Sequence, residues 1–224
     1  RGEGETGFLG HPAEIKTKRV AALYYNYMGY AYTGQGNFSK AIEAYGKALR
    51  FMRAVKFPHM EATTRNNLAR VLSDRGHARG RRLCLDALEM RKEQGTEVPI
   101  AYSYNTLALI DNDHSRPDLA WIEAAIAVAY FRKAEDPRGL GLALLQLSEA
   151  LRRLAKRKSE TYHLRGDSPE VVLETAERIV NEAVDIFTKS GERLRRVEAW
   201  IEKACLERDL ILFNEGYKQK ERHY

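Results

Sequence analysis

The sequence repeats itself at intervals of about 40 residues. Each repeat is marked by a large apolar residue followed directly by a small one, and the small residues lie 40, 39 and 40 positions apart. A small residue lets the two helices of a hairpin cross closely, and self-similarity at such a period is typical of helical-repeat proteins. The four pairs are Met28–Gly29, Leu68–Ala69, Leu107–Ala108 and Leu147–Ser148.

A second pattern follows each small residue and is predicted to lie on the partner helix. It has three residues at positions i, i+4 and i+7, of which the outer two are small. This spacing places all three on one helix face. The four sets are Ala41/Tyr45/Ala48, Gly80/Cys84/Ala87, Ala120/Ala124/Ala127 and Ala176/Val180/Ala183.

The distance between the two patterns shows an insertion in the fourth unit. It is 12, 11 and 12 residues in the first three units and 28 in the fourth, which therefore carries about 16 additional residues. Ala204 lies 56 residues after Ser148, which is 40 plus the same 16. Ala204 is therefore predicted to mark a fifth first helix.

Prolines and glycines divide the chain into helices. All six prolines lie between segments with a 3.6-residue apolar period, where a missing N–H is tolerated. Asp136–Pro137 and Ser168–Pro169 are typical of a cap followed by the first helical residue, and Gly95 and Gly191 can end a helix in the left-handed conformation. No segment alternates as a strand would. We therefore predict an all-α chain of about nine helices.

The segment NYMGYAYTGQGNFSKAIEAYGKAL at 26–49 resembles the tetratricopeptide repeat (TPR) family. The resemblance covers roughly residues 20–213, although Asp111 and Ala124 depart from the usual residue types. It implies a right-handed superhelix whose first helices line a concave groove. The family pattern of large apolar, small, aromatic, then alanine, aromatic and alanine is carried by Met28, Gly29, Tyr32, Ala41, Tyr45 and Ala48.

The 40-residue unit is longer than the usual TPR unit of about 34 residues. It is similar to the long-helix repeats of kinesin light chains, of bacterial peptide-pheromone receptors, and of the sensor arms of signal-transduction ATPases and bacterial transcription regulators. The segments 87–110 and 131–155 most resemble the last group. The resemblance implies a sensor arm in signalling. Because the chain opens at Arg1 without Met, we expect it to be part of a longer protein, with an ATPase or DNA-binding effector domain attached.

The patterns also predict the boundaries of the domain. A linker or tail occupies 1–12, a TPR domain 13–213, and a C-terminal tail 214–224. The domain contains four and a half to five hairpin repeats, and the insertion at 156–169 lies in the fourth. The approximate repeats are 20–57, 58–96, 97–135 and 136–190, followed by a final helix at 192–213.

Three successive repeats have an asparagine three positions before the small residue, where the side chain is predicted to face the groove. They are Asn26, Asn66 and Asn105. A side-chain amide both donates and accepts hydrogen bonds, which matches an extended peptide backbone. In several families with similar repeats, equivalent asparagines hold peptides, so the resemblance implies a peptide clamp. The alternative is that each amide bonds a neighbouring helix and fixes the geometry of the repeat.

Further polar residues are predicted on the same faces, one and two turns along each first helix. Arg70 and Arg152 are candidate partners for a carboxylate or phosphate group. The alternative for each residue is an ordinary solvated helix face. The predicted groove residues beyond the asparagine row are Tyr30, Arg70, Asn112, Glu149 and Arg152.

A basic cluster precedes the insertion of the fourth unit. Its functional interpretation is contact with an anion, a nucleic acid or another domain, and the alternative is a helix end where cations favour the helix dipole. The net charge of +6 is mild for 224 residues, so nucleic-acid binding is kept only as an alternative function. The cluster is Arg152, Arg153, Lys156, Arg157 and Lys158.

The sequence shows no set of residues typical of catalysis. The six histidines are scattered, no pair has the spacing of metal ligands on one helix, and no glycine-rich segment ends in the GK[ST] of a phosphate loop. Cys84 and Cys205 match neither a disulfide framework nor a metal motif, which fits a reducing cytoplasm. The apolar segment 124–131 is too short to cross a bilayer.

We therefore predict a non-catalytic, cytoplasmic interaction domain. Its partner is expected to be a protein or an extended peptide held in the concave groove, with no cofactor, no metal and no membrane. The alternative to this function is a structural scaffold that uses its convex face or the insertion at 156–169.

Overall fold

The computed structural model describes residues 12–74, 79–160 and 168–221. Within these ranges the chain forms nine helices and no strand, which confirms the predicted all-α fold. Parts of the predicted linker (1–11), insertion (161–167) and tail (222–224) lie outside the described residues. The helices are α1 (Pro12–Gly34), α2 (Phe38–Ala54), α3 (Pro58–Asp74), α4 (Arg79–Glu93), α5 (Glu97–Asp113), α6 (Pro117–Lys133), α7 (Pro137–Glu160), α8 (Pro169–Lys189) and α9 (Arg193–Glu221).

Two units divide the chain between the predicted second and third repeats. The N-terminal unit (Arg1–Thr96) contains the hairpins α1–α2 and α3–α4, with α2 also packed on α3. The C-terminal unit (Glu97–Tyr224) contains the hairpins α5–α6 and α7–α8 and the helix α9, which packs on α8. Within each unit successive first helices also touch, α1 with α3, α5 with α7, and α7 with α9.

In each hairpin the small residue of the first helix is buried at the crossing with the second. A Cβ added at Gly29 would lie 2.6 Å from the ring of Tyr45, and one added at Gly80 would lie 2.7 Å from the backbone oxygen of Ala69. Ser148 Oγ donates a hydrogen bond to the backbone oxygen of Ala176 at 3.2 Å. The residues of both patterns are buried in all four hairpins except Met28, which is half-buried. The contacts of α1 with α2, α3 with α4, α5 with α6 and α7 with α8 agree with the predicted pairing. Ala204, by contrast, is exposed.

One large aromatic residue fills the space beside the small residues of most second helices. Tyr45 is buried in the N-terminal unit, and Phe131 and Phe187 are buried in a single cluster that extends through the C-terminal unit. The first turns of α7 provide room for the two phenylalanines, because a Cβ at Gly139 or Gly141 would clash with their rings. The core is therefore built from close backbone approaches around a few large side chains.

A turn with one residue of positive φ ends several of the helices. Gly191 has φ of 72°, its N–H donates to the backbone oxygen of Thr188, and the N–H of Glu192 donates to that of Phe187. This pair of bonds satisfies the last carbonyls of α8 and lets the chain reverse. Gly95 also has a positive φ, so both glycines act as predicted. The other residues with positive φ at helix ends are Gly36, Lys56, Ser115 and Glu135.

Two helices extend further than the repeat pattern indicates. α7 continues to Glu160, into the predicted insertion, and α9 continues to Glu221, through most of the predicted tail. Neither extension contains a proline that would end a helix.

Candidate functional site

Asn26 lies between α1 and α3, the two first helices of the N-terminal unit. It is 5% exposed, and its Oδ1 accepts a hydrogen bond of 2.9 Å from Thr64 Oγ1. Thr64 is itself fully buried and also contacts Met52 Sδ at 3.3 Å. The Asn26 amide therefore links two helices, which is the alternative predicted for the three asparagines. Only its Nδ2 group is left for a ligand. The clamp role of Asn26 stays a prediction.

Asn66 links α3 to α4, the second helix of its own hairpin. Its side chain is buried, and its Oδ1 accepts a hydrogen bond from Cys84 Sγ at 3.4 Å. Cys84 is the middle residue of the second pattern on α4. This asparagine therefore sits at the hairpin crossing, and its predicted contact with a peptide is likewise untested.

Asn105, the third residue of the row, lies on α5 in the C-terminal unit and differs from the other two. Its side chain is half-buried, and its Oδ1 is buried without a hydrogen-bond partner in the described part of the chain. A buried acceptor that lacks a donor costs about 1–3 kcal/mol.

Asn112 lies two turns further along α5 and is fully buried. Its Nδ2 donates to the backbone oxygen of Gln146 at 3.0 Å and to Gln146 Oε1 at 3.1 Å. These bonds join α5 to α7. The predicted groove position of Asn112 is thus occupied by a contact between successive first helices.

Arg152 joins α7 to α9 through two carboxylates. Its Nε and Nη2 donate to Glu202 at 2.8 and 3.0 Å, and its Nη1 donates to Asp209 at 3.2 Å. Burial lowers the pKa of Arg152, but the hydrogen bonds and charges of the two carboxylates raise it above its ordinary value overall. Burial also raises the pKa of Glu202, an effect that Arg152 opposes. Glu149, on the same helix, accepts a hydrogen bond of 2.7 Å from Arg153.

The sequence patterns used above did not predict the carboxylate partners of Arg152, although the spacing of two acidic residues on α9 indicates them. Glu202 and Asp209 lie seven residues apart on α9, on the face that also carries the buried Ala199 and Leu206. Acidic residues repeated on a buried helix face need a cation to pair with. Arg152, on the neighbouring first helix α7, is this cation.

Tyr30 and Arg70 both act electrostatically on the buried phenol of Tyr45. Burial raises the pKa of Tyr45; the Thr33 hydroxyl and the positive charge of Arg70 oppose this effect, and Tyr30 adds to it. Tyr30 is 61% exposed and Arg70 is half-buried. Arg70 forms no hydrogen bond or ion pair with any side chain described in the structure. This cluster combines a cation, an aromatic ring and hydroxyl groups on one side of the N-terminal unit.

Carboxylates neutralise much of the basic cluster at the end of α7. Arg152 and Arg153 have the partners given above, and Arg157 Nη1 lies 2.6 Å from Asp118 Oδ2. The side chain of Lys158 lies outside the described residues. Arg152, Arg153 and Arg157 are thus paired with carboxylates of the described chain.

A cavity of about 290 Å³ lies between α1 and α2 and was not singled out in the sequence. Its walls are tyrosine rings, and two lysine ammonium groups lie over them: Lys40 is 5.6 Å from the centre of the Tyr32 ring and Lys47 is 5.5 Å from that of Tyr25. Lys47 also pairs with Glu43 at 2.7 Å. The aromatic and basic residues of α1 and α2 gave no specific spacing by which this cavity could be recognised.

The described ranges contain neither a metal-binding group nor a membrane-spanning helix. No three histidine, cysteine, aspartate or glutamate side chains are grouped so as to hold a metal ion. No described helix combines the length and the apolar character that a membrane span requires.

No protein-family model matches this sequence, and a comparison with curated proteins gives no match. Two solved structures are similar in fold. A Rap protein complexed with competence and sporulation factor has a TM-score of 0.59 and 17% identity, over 88% of this chain and 58% of that one. The apo form of RapI has a TM-score of 0.54 and 16% identity, over 86% of this chain and 85% of that one.

This chain thus spans 58% of the length of the first of these Rap structures. At 16–17% identity the similarity concerns the fold. Together with the hairpins and their buried small residues, it shows that the chain is a TPR-like helical-repeat protein, with the fold that the two Rap structures share.

Proposed function

We propose that this chain is a non-catalytic interaction domain that binds an extended peptide or a segment of a partner protein along its first helices. The fold supports this proposal, because repeated hairpins present a long surface of side chains at regular spacing. One of the similar structures is a Rap protein in complex with competence and sporulation factor, which is in line with binding by such a fold.

The observation that carries the proposal is the guanidinium group of Arg70. The Arg70 side chain as a whole is half-buried, its charge acts on the buried phenol of Tyr45, and it forms no hydrogen bond or ion pair with the described residues. Arg65, on the same helix, is paired with Glu61 at 2.7 Å. A guanidinium without a partner in the chain can hold a carboxylate through two parallel hydrogen bonds. The expected ligand therefore carries an aspartate, a glutamate or a free C-terminus.

The predicted site residues fall into two groups, those with polar groups left for a ligand and those engaged within the chain. Tyr30 and Arg70 in the N-terminal unit and Asn105 in the C-terminal unit retain groups that a ligand can use. In this proposal the remaining five residues are engaged mainly in contacts within the chain and contribute less to ligand binding. They are Asn26, Asn66, Asn112, Glu149 and Arg152.

A phage-displayed library of random peptides, panned against the 224-residue chain, tests this proposal. We expect the selected peptides to be acidic, and Arg70→Gln to weaken their binding at least tenfold, because a charged hydrogen bond is worth about 1.5–3 kcal/mol. Arg82→Gln is the matched control, since Arg82 lies on the exposed surface of α4. Failure to select any peptide would contradict the function, and equal binding by Arg70→Gln would contradict the site.

The finer role that we propose is that of a sensor arm whose occupancy is transmitted to an attached ATPase or DNA-binding domain. The long 40-residue repeat supports it, through its similarity to the arms of such regulators. Measuring the ATPase rate or the DNA affinity of the full-length parent protein, with and without a selected peptide, would test whether ligand binding changes the activity of the attached domain.

A second candidate function, a scaffold that uses its convex face, is favoured by exposed apolar side chains at the start of α6. Leu119, Trp121 and Ile122 are all exposed there. Trp121→Ser separates the two functions: a scaffold loses partner binding with this variant and keeps it with Arg70→Gln. Nucleic-acid binding through the end of α7 is not favoured, because carboxylates already pair with Arg152, Arg153 and Arg157.

A further inference from the structure

One face of α9 is apolar and exposed. The opposite face packs in the C-terminal unit through Ala199 and Leu206, both fully buried. Ala204 is exposed at the middle of the free face. Six large apolar residues around it are 49–71% exposed: Leu194, Val197, Trp200, Ile201, Ile211 and Leu212.

In the preceding first helices this face is covered by the second helix of the hairpin. The small residue at its centre is buried in each of them, at Gly29, Ala69, Ala108 and Ser148. α9 keeps the small residue in the same register, but no helix among those described lies over it. α9 therefore presents a surface of the kind that elsewhere in this chain binds an α-helix.

This face is complementary to itself when two copies of α9 run antiparallel and cross at Ala204. Its central line consists of residues spaced by 4, 3, 4, 4, 3 and 4 positions, which is symmetric about Ala204 and keeps all of them on one helix face. The line is Arg193, Val197, Trp200, Ala204, Arg208, Ile211 and Glu215.

The residues at equal distances from Ala204 then face each other in favourable pairs. Arg193 faces Glu215, a pair of opposite charge. Val197 faces Ile211, which is an apolar contact, and Trp200 faces Arg208, which allows a cation–π contact. A parallel arrangement would instead bring Arg193 against Arg193 and Glu215 against Glu215. Neither of these two residues has an ion pair in the described structure, so both are available.

We propose that α9 is a self-association surface through which two copies of this chain form a symmetric, antiparallel dimer. A twofold interface uses the same patch on both copies, and the small side chain of Ala204 lets the two helix axes approach closely, as Gly29 and Ser148 do within their hairpins. The pairing extends from Arg193 to Glu215, about 33 Å of helix.

Sedimentation equilibrium of the 224-residue chain over a range of concentrations tests this dimer. The apparent mass is expected to rise from 25.6 kDa to twice that value. Ile211→Glu places a charge opposite Val197, and should weaken the dimer at least tenfold without affecting the monomer fold, because Ile211 is 58% exposed. Val20→Glu on α1, at 60% exposure, is the matched control and should leave association unchanged.

A charge-reversal cycle tests the register. Arg193→Glu and Glu215→Arg each put like charges together at both ends of the symmetric interface, and each should weaken association roughly fivefold. The double variant restores opposite charges and should restore the dimer. A chain that stays monomeric at all concentrations overturns the proposal. So does a dimer that tolerates Ile211→Glu, or one that the double charge reversal fails to rescue, with helix content by circular dichroism verifying each fold.

Discussion

The polar side chains of the first helices differ in whether other residues of the chain satisfy their hydrogen-bonding groups. Asn26 and Asn112 each bond a neighbouring first helix, and Arg152 binds two carboxylates of α9. Asn105 Oδ1 has no hydrogen-bond partner among the described residues, nor has Asn112 Oδ1, although the Nδ2 group of Asn112 is bonded. Arg70 forms no hydrogen bond or ion pair with the described residues. A group that is desolvated without compensation gains free energy from a ligand, whereas a satisfied one has to give up a bond first. Asn105 and Arg70 are therefore the stronger binding candidates.

Alanine substitution of two asparagines from the same row should distinguish these classes. Asn26→Ala removes the acceptor of the buried Thr64 hydroxyl and should lower the free energy of unfolding by about 1–3 kcal/mol. Asn105→Ala removes an acceptor that has no donor, and should cost less than about 1 kcal/mol. Urea unfolding of both variants measures the difference. An equal loss of stability would show that the Asn105 amide is also bonded within the chain.

For single residues, the sequence predicts which side chains lie on the inner face of a helix, but not which residues they bond. Spacing alone places Asn26 on the predicted inner face, and the structure shows that its partner Thr64 lies 38 residues away. The two partners of Arg152 lie 50 and 57 residues away. Contacts of this kind depend on how successive first helices are rotated against each other, and no local pattern encodes that rotation.

Helix ends were more predictable than side-chain contacts, because they depend on local chemistry. Ser168 Oγ accepts a hydrogen bond from the N–H of Val171, and Asp136 Oδ1 accepts one from that of Gly139, so both predicted caps are confirmed. The ends of α7 and α9 were less predictable. No proline or capping residue marks them, and helix continuation there depends on neighbouring packing.

One turn allows a direct test of the backbone argument. Glu135, between α6 and α7, has φ of 52°, a conformation that costs a residue with a Cβ about 1–2 kcal/mol. Glu135→Gly should therefore raise the free energy of unfolding by about 1 kcal/mol, measured by urea or thermal unfolding. The matched reverse change, Gly191→Ala, should lower it, since φ there is 72°. A destabilised Glu135→Gly variant would mean that the glutamate side chain contributes more than its backbone costs.

Each of the two units of the molecule has its own core. Buried residues of the N-terminal unit cluster around Tyr45 and around Met52, while those of the C-terminal unit form one cluster from α5 to α9. The 40-residue period is the same on both sides of this division, so it did not predict where one unit ends and the next begins. Cooperative unfolding follows the continuity of packing rather than the regularity of the repeat.

The two tryptophans offer a test of this division, because Trp121 and Trp200 both lie in the C-terminal unit. We expect urea unfolding followed by tryptophan fluorescence to have a different midpoint from unfolding followed by circular dichroism, which reports on all helices. A variant with both tryptophans changed to Phe and Tyr27→Trp reports on the N-terminal unit, since Tyr27 lies on the surface of α1. Superimposable curves from all three probes would show a single cooperative transition.

The recurrent left-handed turn has a consequence for how such a chain can grow. Lys56, Gly95, Glu135 and Gly191 adopt it at the four joints between one hairpin and the next. Since every joint has nearly the same backbone geometry, cutting at any two of them and rejoining the ends preserves the direction of the polypeptide. Duplication or loss of genetic segments of about 40 codons, or of 56 codons for the hairpin between Glu135 and Gly191, would therefore change the number of hairpins without creating a new kind of junction.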